Sequence, residues 1–186
     1  MSVDVVRRRF TVDEYLHMAE VGILTERDRV ELLDGEIVEM TPIGRRHAVA
    51  VGALTRALVP GIGSRAVVWP QGPIRISESS QPEPDLTLLR LRPVSYRDAD
   101  AEPRDVLLLI EVSDTSIRRD RELKLPIYAR AGIQEYWIVD VQEEMVEVYT
   151  RPSASTYASV QRFRRGDVVS PSAFPDLRIS VDEIFA

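Results

Sequence analysis

The sequence contains no cysteine among its 186 residues. A chain without thiols can form no disulfide framework, no thiolate zinc site and no cysteine nucleophile. The reducing cytoplasm is therefore the expected location. Only two histidines, His17 and His47, are present. Two histidines are too few for a zinc cluster, and these two fall in different predicted helices.

Long apolar runs are also lacking. No segment approaches the roughly 20 apolar residues of a membrane span, and the opening MSVDVVRRRF lacks the apolar core of a secretion signal. Neither membrane insertion nor export is expected. The net charge of −6 argues against a general nucleic-acid coat protein, but it leaves room for a local basic groove.

Several familiar catalytic motifs are missing as well. There is no Walker-type phosphate loop, and the Gly-Ile-Gly at 61–63 has neither the third glycine nor the preceding strand of a dinucleotide site. The sequence has no Gly-x-Ser-x-Gly elbow. The remaining candidates for catalytic groups are carboxylates.

The pattern of the chain predicts one domain over residues 1–186, with a mixed sheet flanked by helices. Thr11 and Glu14 form a capping box that opens a first helix. Asp34-Gly35 lies between two alternating apolar runs and predicts a tight hairpin. A second helix is expected over residues 45–58, ending at Pro60-Gly61. Later segments alternate or are apolar throughout and predict strands: AVVW, PIRIS, LTLLR, VLLLIEV, EYWIVD, MVEVYT, STYASVQRF and LRISVDEIF.

Three acids stand among residues that the pattern predicts to be buried. Glu31 lies in the hairpin, Asp85 begins LTLLR, and Glu111 ends VLLLI. A buried carboxylate is costly unless it is paired, hydrogen-bonded, protonated or bound to a cation. Carboxylates on neighbouring strands suit Mg²⁺, which commonly takes one or two protein carboxylates and keeps several waters. The alternatives are an arginine pair at the sheet rim for Glu31 and a turn role after proline for Asp85.

The spacing of Pro84-Asp85 and Glu111, followed by a helix, is that of the PD-(D/E)XK nuclease superfamily. The lysine of that motif belongs at position 113, where this sequence has Ser113. Lys124, on the next predicted helix, is the candidate to replace it. The alternative for Lys124 is an exposed pair with Asp120, four residues earlier.

A longer string of residues resembles the Uma-two-type family of restriction endonucleases. The resemblance spans about residues 10–150. Its matching residues after the third acid are Glu111, Val112, Thr115, Asp120, Lys124, Tyr128, Ala131, Gly132, Glu135, Tyr136, Trp137 and Asp140. Earlier matches are ELLDGEIVEM, PIGRRHA and PEPDL.

This resemblance implies a restriction-endonuclease-like core that binds Mg²⁺, or Mn²⁺ in its place. Asp85 and Glu111 would hold the metal, with Val112 beside them as a third metal-side residue. Lys124 would lie near the scissile phosphate, Glu31 would be an additional acid on the metal side, and His47 would be a neighbour in the active site. The implied reaction is hydrolysis of a phosphodiester of nucleic acid, with DNA as the expected substrate and a homodimer as the expected assembly.

Two other functions remain open from the sequence. The first is a nucleic-acid-binding or regulatory module that keeps the nuclease fold but has lost efficient chemistry, in agreement with the acidic composition and with Ser113. The second is a structural role of the alternating C-terminal strands in self-association.

Overall fold

The computed structural model describes residues 7–186. Its helices are α1 (Val12–Glu20), α2 (Arg45–Ile62), α3 (117–130) and α4 (Val181–Ile184). Helix α3 consists of three consecutive segments: Ile117–Arg119, a π-helical turn at Asp120–Lys124, and Leu125–Arg130. Its strands are β1 (Val30–Leu33), β2 (Glu36–Glu39), β3 (Ala66–Pro70), β4 (Leu86–Arg90), β5 (Val106–Ser113), β6 (Glu135–Asp140), β7 (Met145–Ser153), β8 (Thr156–Arg164), β9 (Val168–Val169) and β10 (Ile179–Ser180). Among these residues no helix is both long and apolar enough to cross a bilayer.

A six-stranded sheet forms the centre, in the order β3-β4-β5-β6-β7-β8. Strands β5 and β6 are parallel because α3 connects them, and the other neighbours are antiparallel. The predicted mixed sheet flanked by helices is therefore confirmed. Strands β1 and β2 form a separate hairpin, and β9 pairs with β10.

The residues of β5 alternate between the two faces of the sheet. Ile110 and Val112 belong to the apolar cluster that contains α2, whereas Leu109 packs with α3 and the hairpin. Because successive side chains in a strand point to opposite faces, Glu111 lies on the same face as Leu109. The acid is thereby directed toward α3.

The β1-β2 hairpin has the tight turn that its sequence predicts. Asp34 and Gly35 both have positive φ angles, 47° and 78°, as a two-residue type I′ connection requires. A Cβ atom at Gly35 would also lie 2.7 Å from the Cβ of Arg9. Glycine is needed here both for the backbone conformation and for the close approach of a neighbouring segment.

Three predictions about helices and strands were wrong. Helix α2 continues through Pro60 to Ile62, because the packing of Leu58 and Ile62, which are both fully buried, offsets one lost backbone hydrogen bond. The segment PIRIS is not a strand, since its amides bond to loops: Ile74 N–H donates to Pro82 O. The last segment, LRISVDEIF, supplies only the two residues of β10 before α4 begins.

Candidate active site

A cleft of about 970 Å³ opens where the start of β4 meets the end of β5. These strands are antiparallel and Leu86 pairs with Ile110, so Asp85 and Glu111 come together although they are far apart in sequence. The fold brings five of the predicted site residues to the wall of this cleft: His47, Asp85, Glu111, Val112 and Lys124. Glu31 is fully buried beside them.

Asp85 is fixed by two donors. Its Oδ2 accepts a hydrogen bond of 2.8 Å from the backbone N–H of Val112, and its Oδ1 lies 3.0 Å from Nε2 of His47. The hydrogen bond to Asp85 raises the pKa of His47. The side chain of Val112 packs in the core, so only its backbone can serve the site.

Lys124 connects two buried acids. Its Nζ lies 2.9 Å from Oε2 of Glu31 and 3.0 Å from Oε1 of Glu111. The side chain of Lys124 is only 3% exposed, so the alternative of an exposed pair with Asp120 does not describe it. Burial alone would lower the pKa of Lys124, but the charges of Glu111 and Glu31 outweigh it and raise that pKa. Lys124 therefore remains a cation at any physiological pH.

Glu111 accepts a second hydrogen bond at the same oxygen, 2.7 Å from the hydroxyl of Tyr128. Both donors use Oε1, which leaves Oε2 free of these contacts on a residue that lines the cleft. Burial raises the pKa of Glu111 to about 8 despite the neighbouring ammonium of Lys124. Three carboxyl groups, those of Glu31, Asp85 and Glu111, thus meet one lysine and one histidine at this site.

The π-helical turn of α3 ends at Lys124. The N–H of Leu125 bonds to the carbonyl of Asp120, five residues back, directly before Pro126. A wider turn at this point allows the helix to begin at Ile117 and to continue past the proline. Lys124 is the last residue of that turn, so the turn aims its side chain into the cleft.

Two further residues of the site, Tyr128 and Asp120, were not among the predicted catalytic or metal-binding residues. Tyr128 was recognised only as part of a matching string, yet Lys124 and Tyr128 are four residues apart, a spacing that places both side chains on one helix face. Asp120 is buried and accepts hydrogen bonds of 2.6 Å from Ser113 and 2.7 Å from Ser116. Ser113, at the position of the expected lysine, thus links the strand to α3.

The donor set fits a magnesium ion with few protein ligands. Across residues 7–186 no three His, Asp or Glu side chains form a ready-made metal centre. Mg²⁺ nevertheless needs only one or two carboxylates, since waters and substrate phosphate supply its other ligands. Asp85 and Glu111 line one cleft, and Glu111 retains an oxygen that is not engaged by Lys124 or Tyr128. A cation there would favour the charged form of Glu111, whose pKa is raised by burial and by the neighbouring acids.

Comparisons with known proteins identify the family of the chain. Residues 12–182 match the model of the Uma2 family, described as "Putative restriction endonuclease". The chain belongs to this family. No curated protein matches the sequence.

Two solved structures resemble the chain to different degrees. One is the crystal structure of "a putative nuclease belonging to DUF820" from Anabaena variabilis, with a TM-score of 0.73, 17% identity, and coverage of 95% of this chain and 97% of that one. Another is the type IIG restriction endonuclease BpuSI, with a TM-score of 0.41 and 16% identity. That match covers 78% of this chain and only 16% of BpuSI. The first similarity shows that this chain shares the fold of that protein.

Proposed function

We propose that the protein is a metal-dependent endonuclease that hydrolyses phosphodiester bonds of DNA. The observation that carries the proposal is the convergence of Asp85, Glu111 and Lys124 on one cleft. Membership in a family of restriction endonucleases supports the same reaction class. Two acids can hold a divalent cation, and that cation together with the lysine can stabilise the negative charge that develops on a phosphate.

Asp85 and Glu111 would hold Mg²⁺ or Mn²⁺, with the backbone of Val112 next to them. When bound, the cation would stabilise negative charge on the phosphate and lower the pKa of a coordinated water. The N–H of Val112 and the ring of His47 orient Asp85. Tyr128 and Lys124 orient Glu111 through its other oxygen.

Lys124 would act as a fixed positive charge near the scissile phosphate and not as a base. Its raised pKa keeps the ammonium protonated, so it has no free lone pair with which to accept a proton from water. A buried ammonium that is already held by Glu31 and Glu111 needs little reorganisation as charge develops on the phosphate. Glu31 would act on the metal side indirectly, by holding Lys124.

Cleavage of plasmid DNA in Mg²⁺ or Mn²⁺ tests the function, with RNA as a second substrate. We expect Asp85→Asn and Glu111→Gln each to lower the rate by at least about 100-fold while circular dichroism shows a folded protein. Glu26→Gln is the matched control, because Glu26 is an exposed acid on the same cleft. Binding without cleavage over a range of metals would instead favour the regulatory module.

We also propose that the enzyme acts in the cytoplasm as a homodimer. The absence of cysteine supports a reducing environment. Two copies of one site in a symmetric dimer would allow cleavage of both strands of a duplex. Light scattering at micromolar concentration tests the assembly, and a monomer that still makes double-strand breaks in a single event would refute the dimer.

A further inference from the structure

The active-site cleft continues into a second groove of about 590 Å³ along the first turns of α3. Four residues line both the cleft and the groove: Thr41, Thr115, Ser116 and Arg119. The first three carry hydroxyl groups. A substrate bound at Asp85 and Glu111 can therefore extend past these four residues without leaving the surface of the protein.

Arg119 is held in this groove by neutral groups only. Its Nη1 donates to the backbone oxygen of Glu39 at 2.6 Å, and its Nη2 donates to Oγ1 of Thr41 at 3.1 Å. Its Nε is buried and has no partner among residues 7–186. Within the same described part of the chain, no carboxylate lies at ion-pair distance from Arg119. The guanidinium is thus fixed in position by neutral acceptors, with one donor unused. Its charge acts on the neighbouring Asp120 only through space.

The cations of the catalytic centre are different in this respect. Lys124 contacts the carboxyl groups of Glu31 and Glu111, and His47 faces Asp85. An anion entering the cleft would meet an available positive charge at Arg119. A guanidinium held between neutral acceptors is suited to phosphate, because it presents donors in a fixed plane.

Two threonine hydroxyls complete the anion-binding chemistry. The oxygen of Thr41 accepts from Arg119, so its own hydrogen remains available for donation. Thr115 is exposed at the start of the loop into α3. Ser116 contributes less, since its hydroxyl already donates to Asp120.

We propose that Arg119, with Thr41 and Thr115, binds a phosphate of the nucleic-acid strand beside the scissile one. The substrate class is then a strand with at least two consecutive phosphodiesters, and not a mononucleotide or an isolated phosphodiester. This inference rests on the proposed function for the position of the scissile phosphate. Contacts to phosphate fix the position of a strand without reading its sequence.

The test compares Arg119→Gln with Arg130→Gln. Both arginines lie on α3, contact the β1-β2 hairpin or its flank, and lose one positive charge when substituted, but Arg130 pairs with Asp34 outside both grooves. Binding of a fluorescent oligonucleotide is measured by anisotropy in Ca²⁺, as a cation chosen to replace Mg²⁺, over a series of salt concentrations.

We expect Arg119→Gln to weaken oligonucleotide binding about 10-fold or more and to reduce the slope of log K against log[salt] by about 0.7 to 0.9. Arg130→Gln should leave the slope unchanged, and Arg119→Lys should restore most of it. Hydrolysis of bis(4-nitrophenyl) phosphate, which has a single phosphodiester, should fall less in Arg119→Gln than cleavage of the oligonucleotide does, and Arg130→Gln should change neither.

Equal slopes for the two Gln variants would overturn the inference and leave Arg119 as a structural link between α3 and the hairpin. Loss of inorganic phosphate binding in Arg119→Gln, with an unchanged oligonucleotide slope, would assign the groove to a free anion and also overturn it. Because binding is measured without cleavage, a changed slope in a protein that cuts nothing would refute the proposed nuclease and leave this phosphate site standing.

Discussion

Nζ of Lys124 lies 3.0 Å from Oε1 of Glu111, and both side chains are buried. Lys124 is on α3 and Glu111 near the end of β5, so the pair joins the helix to the centre of the sheet. A second acid, Glu31, lies 2.9 Å from the same ammonium. Lys124 therefore has two roles that experiment can separate: it neutralises buried acids in the folded protein, and it places a cation at the cleft.

Lys124→Met should reduce both stability and cleavage. Removal of one partner from a buried ion pair leaves uncompensated charge, or forces protonation, and costs about 3 kcal/mol of unfolding free energy. Urea unfolding at pH 7 measures this loss, and plasmid cleavage measures the activity. A variant with normal stability and a normal rate would show that Lys124 has neither role.

The double variant Lys124→Met/Glu31→Gln separates the two roles. It removes one of the two acids that the single variant leaves unpaired, so it should recover at least about 1 kcal/mol of unfolding free energy. Cleavage should remain lost, because no cation is restored at the cleft. Recovery of the rate together with stability would mean that the lysine acts only through folding.

Glu31→Gln should leave metal affinity nearly unchanged. Oε2 of Glu31 contacts Lys124 and the backbone N–H of Glu83, and the residue does not appear on the wall of the described cleft. Mn²⁺ titration by calorimetry should give a dissociation constant within about twofold of the wild type, whereas Glu111→Gln should weaken it at least about 10-fold. Equal weakening in the two variants would instead make Glu31 a metal ligand.

Tyr128→Phe should weaken Mn²⁺ binding without unfolding the protein. The Tyr128 hydroxyl donates to Oε1 of Glu111, and loss of a residue that orients a metal ligand typically costs 10-fold to 100-fold in affinity. Tyr136→Phe is the control: Tyr136 is also fully buried and packs edge-on against Tyr128, but its hydroxyl makes only a 3.4 Å contact with the Asp120 carbonyl. If both variants weaken binding equally, the effect comes from packing and not from the hydrogen bond.

The sequence was sufficient to predict the parts of the fold and site that depend on local chemistry. Asp34-Gly35 predicts a hairpin because few other pairs tolerate two positive φ angles. The run VLLLI before Glu111 predicts a buried central strand because its residues are apolar on both faces. The convergence of Asp85 and Glu111 followed from their chain order and from a family resemblance.

Features that depend on distant partners were not accessible in this way. PIRIS has the alternation of a strand, but its hydrogen-bond partners include Pro82 and Ala101, in loops whose positions no local pattern gives. The contact between Tyr128 and Glu111 depends on how α3 packs on the sheet. The π-helical turn before Pro126 likewise depends on tertiary packing, which keeps a helix intact where proline would favour a break.

Another buried acid, Glu147, should make stability depend on pH. Arg121 and Tyr149 donate to its Oε2 at 2.9 and 2.7 Å, and Arg162 donates to its Oε1 at 2.9 Å. Burial favours the neutral form of Glu147, but the three hydrogen bonds outweigh burial and lower its pKa below the ordinary value of 4.5. The folded state therefore binds fewer protons at this site than the unfolded chain does.

This difference sets the direction of the pH effect. The stabilisation from Glu147 is fully present above pH 4.5 and is lost as the pH falls through the lower pKa of the folded state. We expect Glu147→Gln to reduce the unfolding free energy by about 2 kcal/mol at pH 7 and by progressively less below pH 4.5. Urea unfolding of both proteins from pH 3 to pH 7 measures this.

Glu122→Gln is the control, because Glu122 is an exposed acid paired with Arg118 and should change stability little at any pH. A constant difference between the wild type and Glu147→Gln across this range would mean that packing, and not the charge of Glu147, holds β7 and β8 to α3.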